Sequence, residues 1–273
     1  MMTIQAMSKL HTQYWEDGFS INAYPVIPQA VVQAAVVGMD EVRAGRYDTG
    51  IAPQPSYWKP GDDPNTKLGK IEMPQTANQA IMALMKYPAL GELAAEVTGA
   101  KAVQIWWVQL LYKPPTQPGA TTTTNVGWHQ DRHYWKSWDD ESELFTAWVA
   151  LSDVTEQAGP MVFVRGSQHW GFSEGSDFFG QDLAMLRSQI EAKSGKPWEE
   201  VTALLPPGGV SFHHNLTFHG SGPNLSGLPR RSFAIHMRTE KSRPRNGLRQ
   251  GLTQFIDDFA FCPVIYGDAA LFG

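Results

Sequence analysis

The stretch GWHQDRHYW, residues 127–135, decides how the rest of this chain is interpreted. It contains a His-x-Asp pair, and in a strand the side chains at i and i+2 point to the same face. His129 and Asp131 would then share one space, while Gln130 points away. A third ligand must come from elsewhere, and His219 is the leading candidate. Two imidazoles and one carboxylate form the facial triad of non-haem Fe(II) oxygenases, which leaves three coordination positions open.

Other histidines compete for the third ligand position. His213 has the same strand parity as His219, and His214 has the opposite parity unless a bulge intervenes. His133 lies two residues past Asp131, so it could reach the pocket rather than the metal. The residues alone leave His213 open as a rival to His219.

An anionic co-substrate beside the metal would need a fixed positive charge. Arg230 and Arg231 follow Pro229 at the start of a predicted strand. One of them should face inward and hold a carboxylate bidentately, a role that favours arginine over lysine. Strand parity makes the two arginines alternatives, and it does not choose between them.

Bulk properties favour one soluble domain, residues 1–273, because β-barrels often reach this size as one unit. The net charge of -5 shows no basic surplus, so no nucleic-acid partner is expected. No run approaches 18 apolar residues, so no membrane span is expected, and residues 1–20 lack a signal-peptide core. The single cysteine, Cys262, excludes a disulfide framework and is consistent with a cytoplasmic protein.

The chain order predicts a mainly β fold with flanking α-helices, closed as a jelly-roll barrel. Residues 1–100 should supply helical elements packed on the barrel, 101–240 the barrel core, and 241–273 a C-terminal tail. Residues 46–75 are rich in proline and glycine and predict an irregular, lid-like segment. Helices are predicted near 28–44, within 76–99 and at 181–194, and strands at 102–112, 144–151, 160–164, 210–212 and 232–237.

Several motifs, taken together, resemble the phytanoyl-CoA dioxygenase family. These motifs are HQDRHY at 129–134, the strand with Trp148, GP at 159–160 leading to RGSQH at 165–169, and HGSGPNLS at 219–226 ending in Arg230. The resemblance covers residues 100–240. Members of the family are Fe(II)- and 2-oxoglutarate-dependent oxygenases on a double-stranded β-helix, a cupin-like barrel.

The resemblance implies a role for each matching residue. His129, Asp131 and His219 would be the catalytic iron ligands, and Arg230 would anchor the distal carboxylate of 2-oxoglutarate. The other co-substrate contacts would be Ser221, Trp148, Lys113 and Gln109. The family's turn usually reads Pro-Gly-Ser-His where this chain has residues 165–169, and Met161 removes one possible hydrogen bond to 2-oxoglutarate. Related halogenases lack the carboxylate ligand, so the presence of Asp131 argues against a halogenase.

The expected reaction consumes O2 and 2-oxoglutarate, releases succinate and CO2, and oxidises a small molecule, with hydroxylation as the default outcome. Aromatic side chains occur near the motif and in the lid-like segment, and such side chains often line ligand pockets. The residues expected to contact the substrate are therefore His133, Trp135, Tyr57 and Trp58. The protein would act as a monomer or homodimer. Two alternatives remain: a metal-dependent isomerase or hydrolase with the same ligands, and a non-catalytic jelly-roll binding module.

Overall fold

A computed structural model of the chain describes residues 8–117, 119 and 124–273. The part of the N-terminal prediction that falls on residues 1–7 lies outside the described residues. The helices of the described chain are α1 (Lys9–Asp17), α2 (Gln29–Arg43), α3 (Gln79–Met85), α4 (Pro88–Thr98) and α5 (Leu183–Ser194). In the described ranges no helix has both the length and the apolar character needed to cross a bilayer.

Eleven strands of the described chain form two antiparallel sheets that close into the expected jelly-roll barrel. The strands are β1 (Phe19–Asn22), β2 (Gly69–Glu72), β3 (Val103–Lys113), β4 (Val126–His129), β5 (Leu144–Ala150), β6 (Met161–Val164), β7 (Glu200–Ala203), β8 (Val210–His214), β9 (His219–Ser221), β10 (Arg230–Thr239) and β11 (Val264–Tyr266). The larger sheet has the order β1-β8-β5-β10-β3-β11, and β2 also pairs with β3. The smaller sheet has the order β4-β9-β6-β7.

Strand β10 shows how the barrel sorts its side chains. It pairs with both β3 and β5, so it lies inside the larger sheet. Phe233, Ile235 and Met237 are fully buried on the outer face, where they join the core beneath the helices. Ala234 faces the opposite way, into the apolar core that includes Trp148 and Phe163. This alternation of period two sends every second residue of β10 toward the space between the sheets.

The helices of the N-terminal third cover the outer face of the larger sheet. Their buried side chains, among them Val32, Met39, Ile81 and Leu90, share one core with that face. Helix α4 approaches β11 closely, because a Cβ placed on Gly91 would lie 2.1 Å from the carbonyl oxygen of Ile265. A glycine is therefore required where this helix touches the sheet.

The structure differs from the sequence prediction in the local backbone at Asp131. The prediction placed His129 and Asp131 on one strand, but β4 ends at His129 and a short 3-10 turn begins at Asp131. Gln130 still has an extended backbone, with φ -104° and ψ 131°. The alternation therefore continues one residue past the strand, and Asp131 faces the same side as His129.

A second difference lies in the segment predicted to be irregular. Residues 69–72 form β2, in which Lys70 lies opposite Leu111 and Glu72 lies opposite Gln109. The free edge of the long strand β3 supplies hydrogen-bonding partners that the local sequence does not reveal. Tertiary pairing thus overrides a segment dominated by proline and glycine.

We expect Gly91→Ala to lower the free energy of unfolding by about 1–3 kcal/mol, because the new methyl group must displace backbone. Gly175→Ala is the matched control, since its nearest atom would lie 3.7 Å from the new Cβ; we expect a change within about 0.5 kcal/mol. Urea denaturation of both variants measures the difference. Equal stabilities would contradict the close approach of α4 to β11.

Candidate metal and co-substrate site

The pairing of β4 with β9 brings two histidines together. His129 lies directly opposite His219 in the register of these strands. The Nε2 atom of each ring lies 3.8 Å from Oδ1 of Asp131. One ligand atom from each of the three side chains falls within 4.8 Å of the others, and all three residues are buried. This spacing suits one metal ion held on a single face.

Both imidazoles are oriented by their other ring nitrogen. Nδ1 of His129 lies 2.8 Å from the carbonyl oxygen of Gly127, and Nδ1 of His219 lies 3.0 Å from that of Thr217. A carbonyl only accepts, so each Nδ1 carries the proton and each Nε2 presents a lone pair to the shared space. Burial lowers the pKa of both histidines, which keeps them neutral and able to bind a metal.

Asp131 is held so that only its Oδ1 faces His129 and His219. Its Oδ2 accepts hydrogen bonds from Oγ1 of Thr146 at 2.7 Å and from Nε2 of His213 at 3.1 Å. Burial alone would raise the pKa of Asp131, but His219 and the hydrogen bond from His213 outweigh it and hold the pKa well below its usual range. His213, the rival ligand, thus lies behind the carboxylate and donates to it.

A second group of polar side chains lies at the start of β10. The guanidinium of Arg230 donates to the carbonyl oxygen of Gly159 at 2.6 Å and to Oγ of Ser221 at 3.2 Å. Lys113 donates to the same hydroxyl at 2.6 Å. Gly159 has a φ of 63°, and a Cβ there would lie 2.8 Å from the carbonyl oxygen of Gly222, so only glycine fits.

Neither basic group has an acidic partner in the described chain, where no ion pair involves Arg230 or Lys113. Burial lowers the pKa of Arg230 to about 9, so it stays charged at neutral pH. Burial, and then the neighbouring Arg230, hold the pKa of Lys113 well below its usual range. Nε of Arg230 and Nε1 of Trp148 are buried donors without a hydrogen-bond partner. Buried donors of this kind call for an acceptor, and the uncompensated charge of Arg230 favours an anionic one.

The structure shows which of the two arginines, Arg230 or Arg231, faces the space between the sheets. Arg230 is 2% exposed and faces the space between the sheets. Arg231 points to the opposite side, where Nη2 lies 3.5 Å from Asp40 and the guanidinium lies 5.3 Å from the ring centre of Tyr112.

A cavity of about 350 Å³ joins the three metal-ligand candidates to Arg230. Its aromatic walls come from Trp107, Tyr134, Trp135, Trp148, Phe178 and Phe179. Its other polar residues are Lys70, Glu72, Gln109, Thr146, His213, Ser221 and His236. The remaining wall is aliphatic and includes Leu111, Met161, Ala234 and Leu252.

The residues expected to contact substrate are placed at different depths. Trp135 lines the cavity. Tyr57 lies outside the lining, with its ring centre 5.2 Å from that of Phe179 at the rim. His133 also lies outside it and stacks on Phe172.

Trp58 is 5% exposed and donates its indole N–H to the carbonyl oxygen of Arg43, so it packs in the core beneath the helices instead of facing the cavity.

Sequence reasoning missed Lys70, Glu72 and His236 as cavity residues. The pattern Lys70-Ile71-Glu72 alternates polar, apolar and polar residues, as a strand does. Three residues are too few to predict a strand in a segment rich in proline and glycine. His236 has the same strand parity as Arg230, so parity along β10 could have found it. Gln109 was predicted at the co-substrate and lines the cavity beside Glu72, 3.5 Å from its Oε1.

Comparison with known proteins gives consistent findings. The family model for phytanoyl-CoA dioxygenase (PhyH) matches residues 16–232. A probable alpha-ketoglutarate-dependent hypophosphite dioxygenase of Stutzerimonas stutzeri is 28% identical over 170 residues, which are 62% of this chain and 56% of that protein. Dioxygenase cdmD of Talaromyces verruculosus is 20% identical over 192 residues, 70% of this chain and 57% of that protein. The chain spans just over half the length of these curated relatives.

Two solved structures share the fold. The epimerase SnoN, in complex with Fe3+, alpha ketoglutarate and nogalamycin RO, superposes with a TM-score of 0.68 at 22% identity, over 93% of this chain and 90% of that one. The non-heme alpha ketoglutarate dependent carbocyclase SnoK from nogalamycin biosynthesis has a TM-score of 0.67 at 22% identity, over 90% and 89%. At this identity the likeness shows the common architecture.

We expect Thr146→Val to weaken Fe(II) binding by about 10- to 100-fold, because Asp131 loses a hydrogen bond that orients it. Thr146→Ser retains the hydroxyl and is the matched control, with affinity close to that of the parent protein. Anaerobic calorimetric titration measures both, with thermal unfolding as a check on folding. Equal affinities in the Val and Ser variants would contradict the orienting role of this hydroxyl.

Proposed function

The chain belongs to the phytanoyl-CoA dioxygenase family, and on this premise we propose that it is an Fe(II)- and 2-oxoglutarate-dependent dioxygenase. It oxidises a small molecule, with hydroxylation as the outcome, and releases succinate and CO2. The observation that carries the proposal is the pair of buried basic groups at Ser221 without an acidic partner in the described chain. The three-ligand cluster lies in the same cavity as one of them, Arg230.

The donor set fits iron and 2-oxoglutarate. His129, Asp131 and His219 would hold Fe(II), since two neutral imidazoles and one carboxylate suit this ion and leave positions open. The distal carboxylate of 2-oxoglutarate would accept from Arg230, whose Nε has no partner, and from the orphaned indole N–H of Trp148. When bound, iron with 2-oxoglutarate and O2 supplies the oxidation of the substrate.

The protein's own residues orient the reactants and keep water out. Thr146 and His213 hold Oδ2 of Asp131, so its other oxygen stays aimed at the histidines. Ser221 accepts from Lys113 and Arg230 and donates to Gly159, which uses all of its hydrogen-bonding capacity and fixes the basic pair. The aromatic walls of the cavity exclude solvent around the metal site.

The buried basic pair also separates this proposal from its rivals. A hydrolase or isomerase using the same three ligands has no need of an anion site at the start of β10. A non-catalytic binding module needs neither that site nor three oriented metal ligands with lone pairs converging on one point. Product analysis separates hydroxylation from ring closure or epimerisation, the activities named for SnoK and SnoN.

Anaerobic addition of Fe(II) and 2-oxoglutarate should produce a weak visible charge-transfer band. His219→Ala should abolish the band, because it removes one of three ligands. Arg230→Ala should weaken 2-oxoglutarate binding by about 30-fold or more, as expected when one partner of a buried, hydrogen-bonded charge pair is removed. Titration of the band with 2-oxoglutarate measures these effects.

Arg231→Ala is the matched control, since its guanidinium lies on the other face of the same strand beside Asp40. It should leave the 2-oxoglutarate titration unchanged. No band in folded, iron-loaded parent protein would refute the proposal. A band that responds to Arg231→Ala and not to Arg230→Ala would refute the assignment of the anchor. Succinate release across a panel of small molecules then identifies substrates.

A further inference from the structure

Strand β2 places an ion pair inside the cavity. Lys70 and Glu72 are two residues apart on this strand, so both face inward, while Ile71 between them is buried in the outer core. Their side chains are only 13% and 14% exposed, and Nζ of Lys70 bonds Oε1 of Glu72. A largely desolvated ion pair in a cavity wall is costly unless its remaining polar capacity is used.

The carboxylate of Glu72 is already occupied by protein donors. The indole N–H of Trp107 donates to its Oε2 at 2.6 Å, and Nε2 of Gln109 lies 3.5 Å from its Oε1, which also bonds Lys70. Glu72 therefore positions Lys70 and has little capacity left for a ligand.

Lys70 retains free donors. An ammonium group has three N–H bonds, and one of them is used by Glu72. Its Nζ lies 5.3 Å from the ring centre of Phe178, another wall of the cavity. Nζ of Lys70 makes no other hydrogen bond in the described part of the chain, so its remaining donors are free for a ligand acceptor.

His236 offers the complementary acceptor. Oγ1 of Thr146 must donate its proton to the carboxylate of Asp131, so it accepts from Nδ1 of His236 at 2.9 Å. Nε2 of His236 then carries a lone pair on a ring that lines the cavity. Burial lowers the pKa of His236 to about 4, so the ring is neutral. Trp106 and Trp135 pack on its ring, with centres 5.5 and 4.9 Å away.

The formal charges of the cavity wall sum to zero, both without and with iron and 2-oxoglutarate. Lys70 and Arg230 are positive, and Glu72 and Asp131 are negative, which gives zero. Iron(II) adds two positive charges and 2-oxoglutarate two negative charges, so the sum stays zero. Lys113 does not line the cavity, and its Nζ donates to Ser221 and to the carbonyl oxygen of Gly222, so it is not part of this sum. A charged substrate would be left uncompensated in a site of low dielectric constant.

We propose that Lys70 and His236 form the substrate-recognition subsite, and that the substrate is a neutral molecule with an apolar, ring-bearing body and an adjacent donor–acceptor group. Its acceptor atom binds Lys70, its donor binds Nε2 of His236, and its body lies between Trp107, Trp135 and Phe178. A hydroxyl, a lactam or a carboxamide provides both functions. This inference rests on the proposed function, because the charge balance includes iron and 2-oxoglutarate.

The test compares three probes that share one ring: phenylacetamide, which is neutral, phenylacetate, which is an anion, and phenethylamine, which is a cation. Zn(II) replaces iron in the 2-oxoglutarate-bound protein, so that no turnover occurs. Ligand-observed NMR titration gives the Kd of each probe. We expect phenylacetamide to bind at least about threefold more tightly than either charged probe.

Variants locate the binding site. The double variant Lys70→Met with Glu72→Gln keeps the cavity wall neutral and leaves no unpaired buried carboxylate. This double variant should bind phenylacetamide about three- to tenfold more weakly than the parent protein. His236→Phe, which retains the ring packing, should have a similar effect. Lys59→Met, in an exposed part of the same segment, is the control and should change nothing.

The outcomes separate this inference from the proposed function. Tighter binding of a charged probe, no binding of any probe, or an unchanged Kd in the double variant would overturn the subsite while 2-oxoglutarate still binds. Failure of the parent protein to bind 2-oxoglutarate at all would instead overturn the proposed function.

Discussion

The pairing of β10 with β3 sets Arg230 opposite Lys113, and this contact constrains the rest of the site. Both side chains are buried and both donate to the hydroxyl of Ser221. Two basic groups that share one acceptor in a desolvated site repel each other, and burial penalises their charged forms. The lowered pKa values of both groups express this cost. An anionic ligand at the same point would offset it, which explains why the barrel keeps such an arrangement.

The inner face of β10 connects the chemical parts of the cavity. Arg230 is at the end beside Ser221, Ala234 follows in the wall, and His236 reaches the side where Thr146 and Asp131 meet. In the proposed function, this inward-facing side of β10 sets the order of co-substrate, metal and substrate. The neighbouring strand β5 supplies both Thr146, which holds Asp131, and Trp148, which lies beside Arg230.

Much of this arrangement could be predicted from the sequence, because strand periodicity and motif order carry the information. The barrel class and the long strands β3 and β10 follow from local patterns, and the resemblance in motif order indicates the triad of His129, Asp131 and His219. Parity could not choose between Arg230 and Arg231, or between His219 and His213. Those choices depend on which face of a strand turns inward, and tertiary pairing decides that.

Other features depend on contacts between distant segments. Strand β2 exists because the edge of β3 is free to pair, and only that pairing brings Lys70 and Glu72 into the cavity. Trp58 was expected to meet substrate from a lid, yet its hydrogen bond to the carbonyl oxygen of Arg43 fixes it among the helices. In both cases the deciding partner lies outside the local sequence.

The central claim is that Arg230, held beside Ser221, recognises a distal carboxylate. Calorimetric titration of the metal-loaded protein under anaerobic conditions with 2-oxoglutarate and with 2-oxobutyrate tests it directly, because 2-oxobutyrate keeps the metal-binding oxo-acid group and lacks the distal carboxylate. The account predicts that 2-oxoglutarate binds at least about tenfold more tightly, since charge-assisted hydrogen bonds contribute about 1.5–3 kcal/mol. Equal affinities for the two ligands would contradict it.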